Sequence, residues 1–413
     1  MSSTLVTCLE TSSTAVAADL KAPSSIVEAA VDVDIDNGID ILDIRQSSDP
    51  LDLKSAIIDG LQRHPDELEL PSILCWSEAG AALYDKLCHD PTYYPRHCEV
   101  EILQRHADSI ANTIPDSAVL IELGCGNLQK TGAILSALAA QKKQVAYHAL
   151  DVSAESLHAS LRGLHRSDTI PSETPSISVS GLLGTYEDCI RWLNTEKNPL
   201  LDGSSKISEI AFLWMGNTIA NTELEDATTL LTSFRESVYS KVNWTSARPK
   251  CSFVFGADAC ADEDRIDAAY LSNEGFFAVP ASGMEAANRV LRGDCGGGRV
   301  GFQLQDWEVK ARFDRKTRMV RASHIALRNT RIELGLDESM PIKQGTEIRQ
   351  LLSGKWSADQ VAEMAREAGF GVASCWMDGE GIYGMQPILV LSLPIDFREG
   401  FYRIVAVDDV GEI

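Results

Sequence analysis

The fold is decided by Ala118-Val119-Leu120-Ile121-Glu122-Leu123-Gly124-Cys125-Gly126-Asn127. A short apolar run ending in glycines fits a buried strand that enters a tight loop, and a helical pattern follows over 130–140. A second apolar run, 145–150, ends at Asp151 and precedes a helix over 154–164. Further strands are predicted at 177–181, 209–214 and 250–256, with a helix at 223–238 after the second of these. Strands alternating with helices imply an α/β protein with a doubly wound parallel sheet.

The same stretch predicts a ligand. Glycines let the backbone approach a small molecule at the switch point of such a sheet, and the helix that follows presents free N–H groups. Asp151, at the tip of the next strand, is placed to accept from a ribose diol. It lies 27 residues after Gly124, near the about 20 expected of dinucleotide sites. Two details turn the expectation away from a pyrophosphate: the loop is shorter than G-x-G-x-x-G, and Glu122 directly precedes it. A carboxylate there repels phosphate and favours a cationic sulfonium. S-adenosylmethionine is therefore the expected ligand, with a nucleotide-like fold and a decayed site as the plainer alternative.

Upstream, 2–30 is rich in Ser, Thr and Ala and is expected to be a disordered arm. Ile-Asp-Ile-Leu-Asp-Ile at 39–44 alternates like a short edge strand, and helical periodicity begins over 53–61, 79–88 and 100–113. After Asp258 the pattern changes. Helices are expected at 265–271 and 284–291, a glycine-rich loop at 293–298, and an antiparallel meander from 302–313, 319–328 and 331–334. A helix at 358–368 and strands at 371–376 and 388–393 would return to the parallel sheet.

Composition narrows the function classes. The 413 residues include 37 Lys+Arg and 60 Asp+Glu, a net charge of −23. Such a chain lacks the cationic footprint that neutralises phosphates, so neither nucleic acid nor an anionic membrane surface is an expected partner. Residues 1–60 hold −8 of that charge. Neither a targeting segment nor a long apolar span is evident, and the ten cysteines form no C-x-x-C pair. A cytoplasmic protein with reduced thiols and no metal site is expected.

Four segments together resemble the histidine-specific methyltransferase family of ergothioneine biosynthesis and its relatives that N-methylate tryptophan derivatives. These are Leu70-Pro71 through Glu78-Ala79-Gly80; Pro91-Thr92-Tyr93-Tyr94-Pro95-Arg96; Glu122 to Asn127 with Lys130-Thr131; and Phe212-Leu213-Trp214-Met215-Gly216-Asn217-Thr218-Ile219-Ala220-Asn221. Their order and spacing agree over about 55–393. The resemblance implies a Rossmann-like class I methyltransferase sheet with an inserted α+β substrate-binding domain. The sheet domain would take 99–258 and 357–393, and the substrate domain 55–98 and 259–356. Residues 1–50 would form an acidic arm and 394–413 a tail.

The resemblance also implies roles. Asn221 and Tyr270 fall where an amino-acid carboxylate is held, as neutral donors suited to it, and Gly216 belongs to the same substrate site. Glu122, Gly124, Gly126, Asn127, Lys130, Asp151 and Tyr186 fall at the methyl-donor site, Tyr186 near the adenine. Tyr84, Tyr94 and Trp76 would line the cleft where amine meets sulfonium. Each has a bland alternative: Tyr84 and Tyr270 as packing, Tyr93 as structural, Asn221 as a helix cap, His324 as a satisfied buried histidine.

Two departures bear on the substrate. The family's histidine enzymes carry Thr-Glu-x-Ser-x-Lys, whose Glu and Ser bond the imidazole; here Gln350-Leu351-Leu352-Ser353-Gly354-Lys355 places Leu351 at the Glu. An imidazole against leucine loses a partner, at a cost of about 1–3 kcal/mol, whereas an indole offers a large apolar face and one N–H, which Ser353 could accept. Cys75-Trp76-Ser77 replaces a Tyr-Asp pair, so an indole faces the reacting amine and can hold a methylated ammonium by cation–π attraction or narrow the pocket. The expected function is S-adenosylmethionine-dependent methylation of the α-amine of a free aromatic amino acid, L-tryptophan first, by a monomer. The alternatives are L-histidine trimethylation, a 4-dimethylallyltryptophan substrate, and a non-catalytic module that binds amino acid and donor.

Overall fold

The computed structural model describes residues 40–45, 52–166, 176–195, 207–239, 249–293, 300–334, 339–378 and 400–406. The expected arm at 2–30, the glycine loop from 294 and the strand at 388–393 lie outside them.

Six strands are mutually parallel: β1 (Ile41–Asp43), β2 (Ala118–Leu123), β3 (Val145–Asp151), β4 (Ile177–Leu183), β5 (Glu209–Trp214) and β6 (Lys250–Ala257). Their spatial order, β1-β4-β3-β2-β5-β6, reverses direction between β2 and β5. A ligand crevice is expected beyond the C-terminal ends of those two strands. Every residue of β2 and β5 is buried, because helices cover both faces, and strands so placed read as unbroken apolar runs. One face carries α3 (Tyr94–Thr113), α4 (Thr131–Ala140) and α5 (Ala154–Arg166). The other carries α6 (Tyr186–Leu193), α7 (Leu224–Tyr239) and α10 (Ala358–Glu367).

The sheet is completed by β12 (Phe370–Met377) and β13 (Gly400–Ala406), with β13 inserted antiparallel between β6 and β12. Residues 400–406, expected to lie in a tail, are thus an internal strand. Two backbone ladders, one on each side, hold them there.

A second apolar core is built by α1 (Leu53–Leu61), the C-terminal part of α9 (Glu274–Arg292) and the strands around them. Packed beside α9 are α2 (Glu78–Cys88) and the sheet β7 (Trp307–Asp314), β8 (Met319–Ala326) and β11 (Glu347–Gly354), in the order β11-β8-β7. The third strand of the meander is therefore β11. The expected 331–334 segment instead forms β9 (Thr330–Glu333), paired with β10 (Ser339–Ile342) in a ribbon of its own. A bulge at Gln350 shifts the β11 register between Arg349 and Leu351, and it lets Gln350 and Leu351 both be buried where strict alternation would expose one.

Two helices start earlier than their apolar periodicity suggests. Pro95 sits in the first turn of α3, where the missing N–H costs nothing. α9 begins at Glu274 under an Asn273 cap and carries Pro280 inside it. Between β6 and α9, the short α8 (Glu263–Ile266) runs into one π-helical turn, Asp267–Leu271.

Candidate active site

The loop after β2 turns on left-handed glycines, Gly124 at φ +73° and Gly126 at φ +54°. The N–H groups of Gly124 and Cys125 both donate to the Leu150 carbonyl, which lays the loop across the end of β3. A Cβ on Gly126 would meet nothing within 4 Å, and one on Gly124 would stand 3.3 Å from the Tyr186 hydroxyl. One side of the loop is thus open and the other is walled by Tyr186. That phenol starts α6 over a Thr185–Asp188 capping box and accepts from Trp214 Nε1 at 3.2 Å. Asp151 reaches the loop from β3; burial raises its carboxyl above the usual range, and Oδ1 accepts from Ser153 N at 3.0 Å. An open glycine turn, an acceptor carboxylate and an aromatic wall fit an adenosyl ligand.

Glu122 sits differently from the sequence expectation. It is 1% exposed, with Oε1 accepting from Thr131 Oγ1 at 2.6 Å and Oε2 from the Tyr147 hydroxyl. Burial pushes its carboxyl up to about 7. Both oxygens are engaged beneath the loop, one tying β2 to the start of α4 at Thr131 and the other tying it to β3 at Tyr147.

The second half of the site is aromatic. Trp76, at the end of the 3-10 segment Ser72–Trp76, meets Tyr84 of α2 edge to face, with centroids 5.4 Å apart. Tyr84 contacts Tyr93 at 6.3 Å, and Tyr93 contacts Tyr270 at 5.5 Å. Tyr270 is presented by the π-helical turn. Leu351, 6% exposed, belongs to the same apolar cluster as Cys75, Tyr93, Tyr94 and Tyr270. Burial holds the Tyr84 hydroxyl well above its ordinary range, which keeps it a neutral phenol.

Behind this wall lies a buried polar network whose central pair, Asp258 and Lys355, sequence patterns did not single out. Asp258, just past β6, and Lys355, just past β11, are fully buried and paired at 2.9 Å. Tyr94 donates to Asp258 Oδ2 at 2.6 Å, and Cys260 N donates to Oδ1 at 2.9 Å. Lys355 Nζ also donates to Ser353 Oγ at 2.8 Å and stands 4.0 Å from the Tyr270 ring centroid. Asn217, left-handed at φ 58°, accepts from Asp258 N at 2.8 Å and donates to Ser353 Oγ and the Gly354 carbonyl, each at 3.3 Å. Asn221, expected at the carboxylate, ends the half-buried 3-10 segment Thr218–Asn221 that packs against β11. The clue to the network was charge set directly against apolar strands, at Asp258 and Lys355.

Two links join the halves. Asn127 Nδ2 donates to Asp85 on α2 at 3.2 Å. Lys130 pairs with buried Glu99 of α3, whose Oε1 accepts the Gly216 N–H at 2.6 Å. His324, by contrast, is a satisfied core residue: its Nε2 meets Gln350 Oε1 at 2.6 Å, and burial pushes it down to about 4, so it is neutral.

Residues 53–388 match the family described as histidine-specific methyltransferase, SAM-dependent. The chain belongs to that family. It is an S-adenosylmethionine-dependent methyltransferase, and several of its relatives are named as N-methyltransferases. The N-methyltransferase dtpB of Aspergillus flavus is 35% identical over 360 residues, 86% of this chain and 94% of that protein. The 4-dimethylallyltryptophan N-methyltransferase easF of Claviceps purpurea is 32% identical over 236 residues, 56% of this chain and 63% of its own. Ergothioneine biosynthesis protein 1 of Neurospora crassa is 29% identical over 352 residues, 84% of this chain and 36% of its own. Among the described residues, no helix of this methyltransferase is long and apolar enough to cross a membrane.

Proposed function

We propose that this methyltransferase transfers methyl groups to the α-amine of a free indole amino acid, L-tryptophan. The observation that carries the proposal is Leu351, buried in a wall of tyrosines at the position where the family's histidine enzymes hold the imidazole with a glutamate. An apolar side chain there contributes to an indole by contact and leaves an imidazole nitrogen unpaired. The relative named for 4-dimethylallyltryptophan supports an indole substrate, and a prenylated ring is the nearest variant of this proposal.

The donor, when bound, supplies a methyl group on a cationic sulfur. Gly124, Gly126 and Asp151 would hold it on the open side of the loop, with Tyr186 against the adenine. The substrate-binding set is Asn221, Tyr270, Gly216, Leu351 and Ser353, lying on or beside the segment 55–98 and 259–356. Alignment of amine and sulfonium is the main contribution of the protein, because near-attack geometry removes much of the barrier. The amine must arrive neutral; Tyr84 can accept a hydrogen bond from it and Trp76 can face the developing ammonium. With Tyr84 held as a neutral phenol, the proton leaves to water.

Incubation with donor and a panel of free amino acids, read by mass spectrometry, tests the proposal. Mass gains in multiples of one methyl on tryptophan are expected. Methylation of histidine in place of tryptophan would overturn the indole assignment, and donor binding without any product would leave a binding module.

A further inference from the structure

The bulge in β11 sets Gln350 next to Leu351 on the side of the strand that meets α9, and bulges beside binding sites commonly re-aim a side chain. Gln350 is 4% exposed. Its Oε1 meets His324 Nε2 at 2.6 Å, while its Nε2 has no hydrogen-bond partner among the described residues. A buried amide end left so is costly and calls for a reason.

That end lies between α9 and the segment leading to Trp76. A Cβ on Gly283 would overlap it and would stand 2.8 Å from Cys75 Sγ. Glycine is unfavourable mid-helix, and here it gives the amide its room. Cys75 and Leu351 share one apolar cluster with Tyr93, Tyr94 and Tyr270. The unpaired end therefore sits at the edge of the wall proposed to meet the substrate ring.

The Gln350–His324 pair can present either kind of hydrogen-bonding group. Burial pushes His324 down to about 4, so its ring is neutral, and Nε2 carries a hydrogen or a lone pair according to the tautomer. In the structure Nε2 faces a carbonyl oxygen and donates to it. A half-turn of the amide exchanges its two ends, and the other tautomer then accepts from the Gln350 N–H2. His324 is satisfied in both settings, and the end left toward the cluster is a donor in one and an acceptor in the other.

An indole N–H needs an acceptor, and Ser353, expected from the sequence to supply it, does not. Its oxygen receives Lys355 Nζ, which can only donate, at 2.8 Å, and Asn217 Nδ2 at 3.3 Å, which fills both lone pairs. We propose that Gln350, steered by His324, is the specificity-determining residue that reads the ring nitrogen: with its carbonyl turned toward the ring, it accepts the substrate's indole N–H. This rests on the proposed indole substrate and deepens it. Leu351 selects the ring by apolar contact, and Gln350 fixes which edge the ring presents.

Dissociation constants for L-tryptophan and for benzothienyl-L-alanine, whose sulfur replaces the ring N–H, test this by calorimetry with S-adenosylhomocysteine present. Their ratio is the readout. Gln350→Met keeps the length of the side chain and removes the amide. The preference for tryptophan is expected to fall about tenfold from its wild-type value, through weaker tryptophan binding alone. A preference that changes less than threefold would overturn the assignment, whether the two affinities hold or fall together, because position 350 would then be merely structural. Should Gln350→Met fail to fold, ¹⁵N spectra of histidine-labelled wild type decide. Tryptophan is expected to move the His324 hydrogen from Nε2 to Nδ1, and benzothienylalanine to leave it in place. A His324 tautomer that ignores tryptophan would overturn the assignment as well. Wild-type protein that binds neither probe contradicts the proposed indole substrate and this assignment with it, whereas binding of both with a preference blind to position 350 contradicts this assignment alone.

Discussion

Glu99 accepts the backbone N–H of Gly216 at 2.6 Å with one oxygen and takes Lys130 with the other. One buried carboxylate on α3 thereby ties the loop after β2 to the loop after β5, the two sides of the switch point. Glu99→Gln keeps an acceptor for Gly216 but sets an uncharged amide against the ammonium. A stability loss of about 1–3 kcal/mol is expected in urea unfolding, with KM rising for donor and amino acid together. A rise in only one KM would show that the two loops are not coupled through Glu99.

Glu122 makes stability depend on pH. Its carboxyl titrates at about 7 in the folded protein and at about 4.3 when unfolded, so the folded state binds the extra proton between those values. That contribution is fully present below about pH 4 and is lost as pH rises through about 7. Glu122→Gln removes it. Between about pH 5 and pH 8 the wild type is expected to lose stability relative to this variant by on the order of 3 kcal/mol. Parallel pH profiles would mean that Glu122 stays ionised in the fold.

The parallel core was legible because β2 and β5 are buried on both faces and read as continuous apolar runs. The glycine loop and Asp151 were legible because left-handed turns and strand-tip carboxylates leave marks at fixed spacing. β11 was not, since the bulge at Gln350 breaks its alternation and hides a third meander strand. Nor was β13, whose place is set by partners at both edges and not by its own pattern. The Asp258–Lys355 pair stayed hidden for a further reason: a charge in a sequence is by default solvated, and Tyr94 and Asp258 meet across 164 residues.

Gly126 separates fold from ligand. It sits at φ +54°, and a Cβ added there would have nothing within 4 Å of it. Gly126→Ala is therefore expected to cost only about 1–2 kcal/mol of stability. Its methyl would project into the open side of the loop, so the dissociation constant for S-adenosylhomocysteine is expected to rise at least tenfold. Unchanged affinity would place the donor elsewhere.

Leu351 carries the central claim, and kcat/KM of Leu351→Glu for tryptophan and for histidine tests it most directly. The substitution puts a carboxylate into the tyrosine-lined wall, where it opposes an apolar ring and can bond an imidazole. Tryptophan turnover is expected to fall at least a hundredfold while the ratio of histidine to tryptophan turnover rises. A variant that keeps the wild-type preference for tryptophan would contradict the account, because Leu351 would then not read the ring.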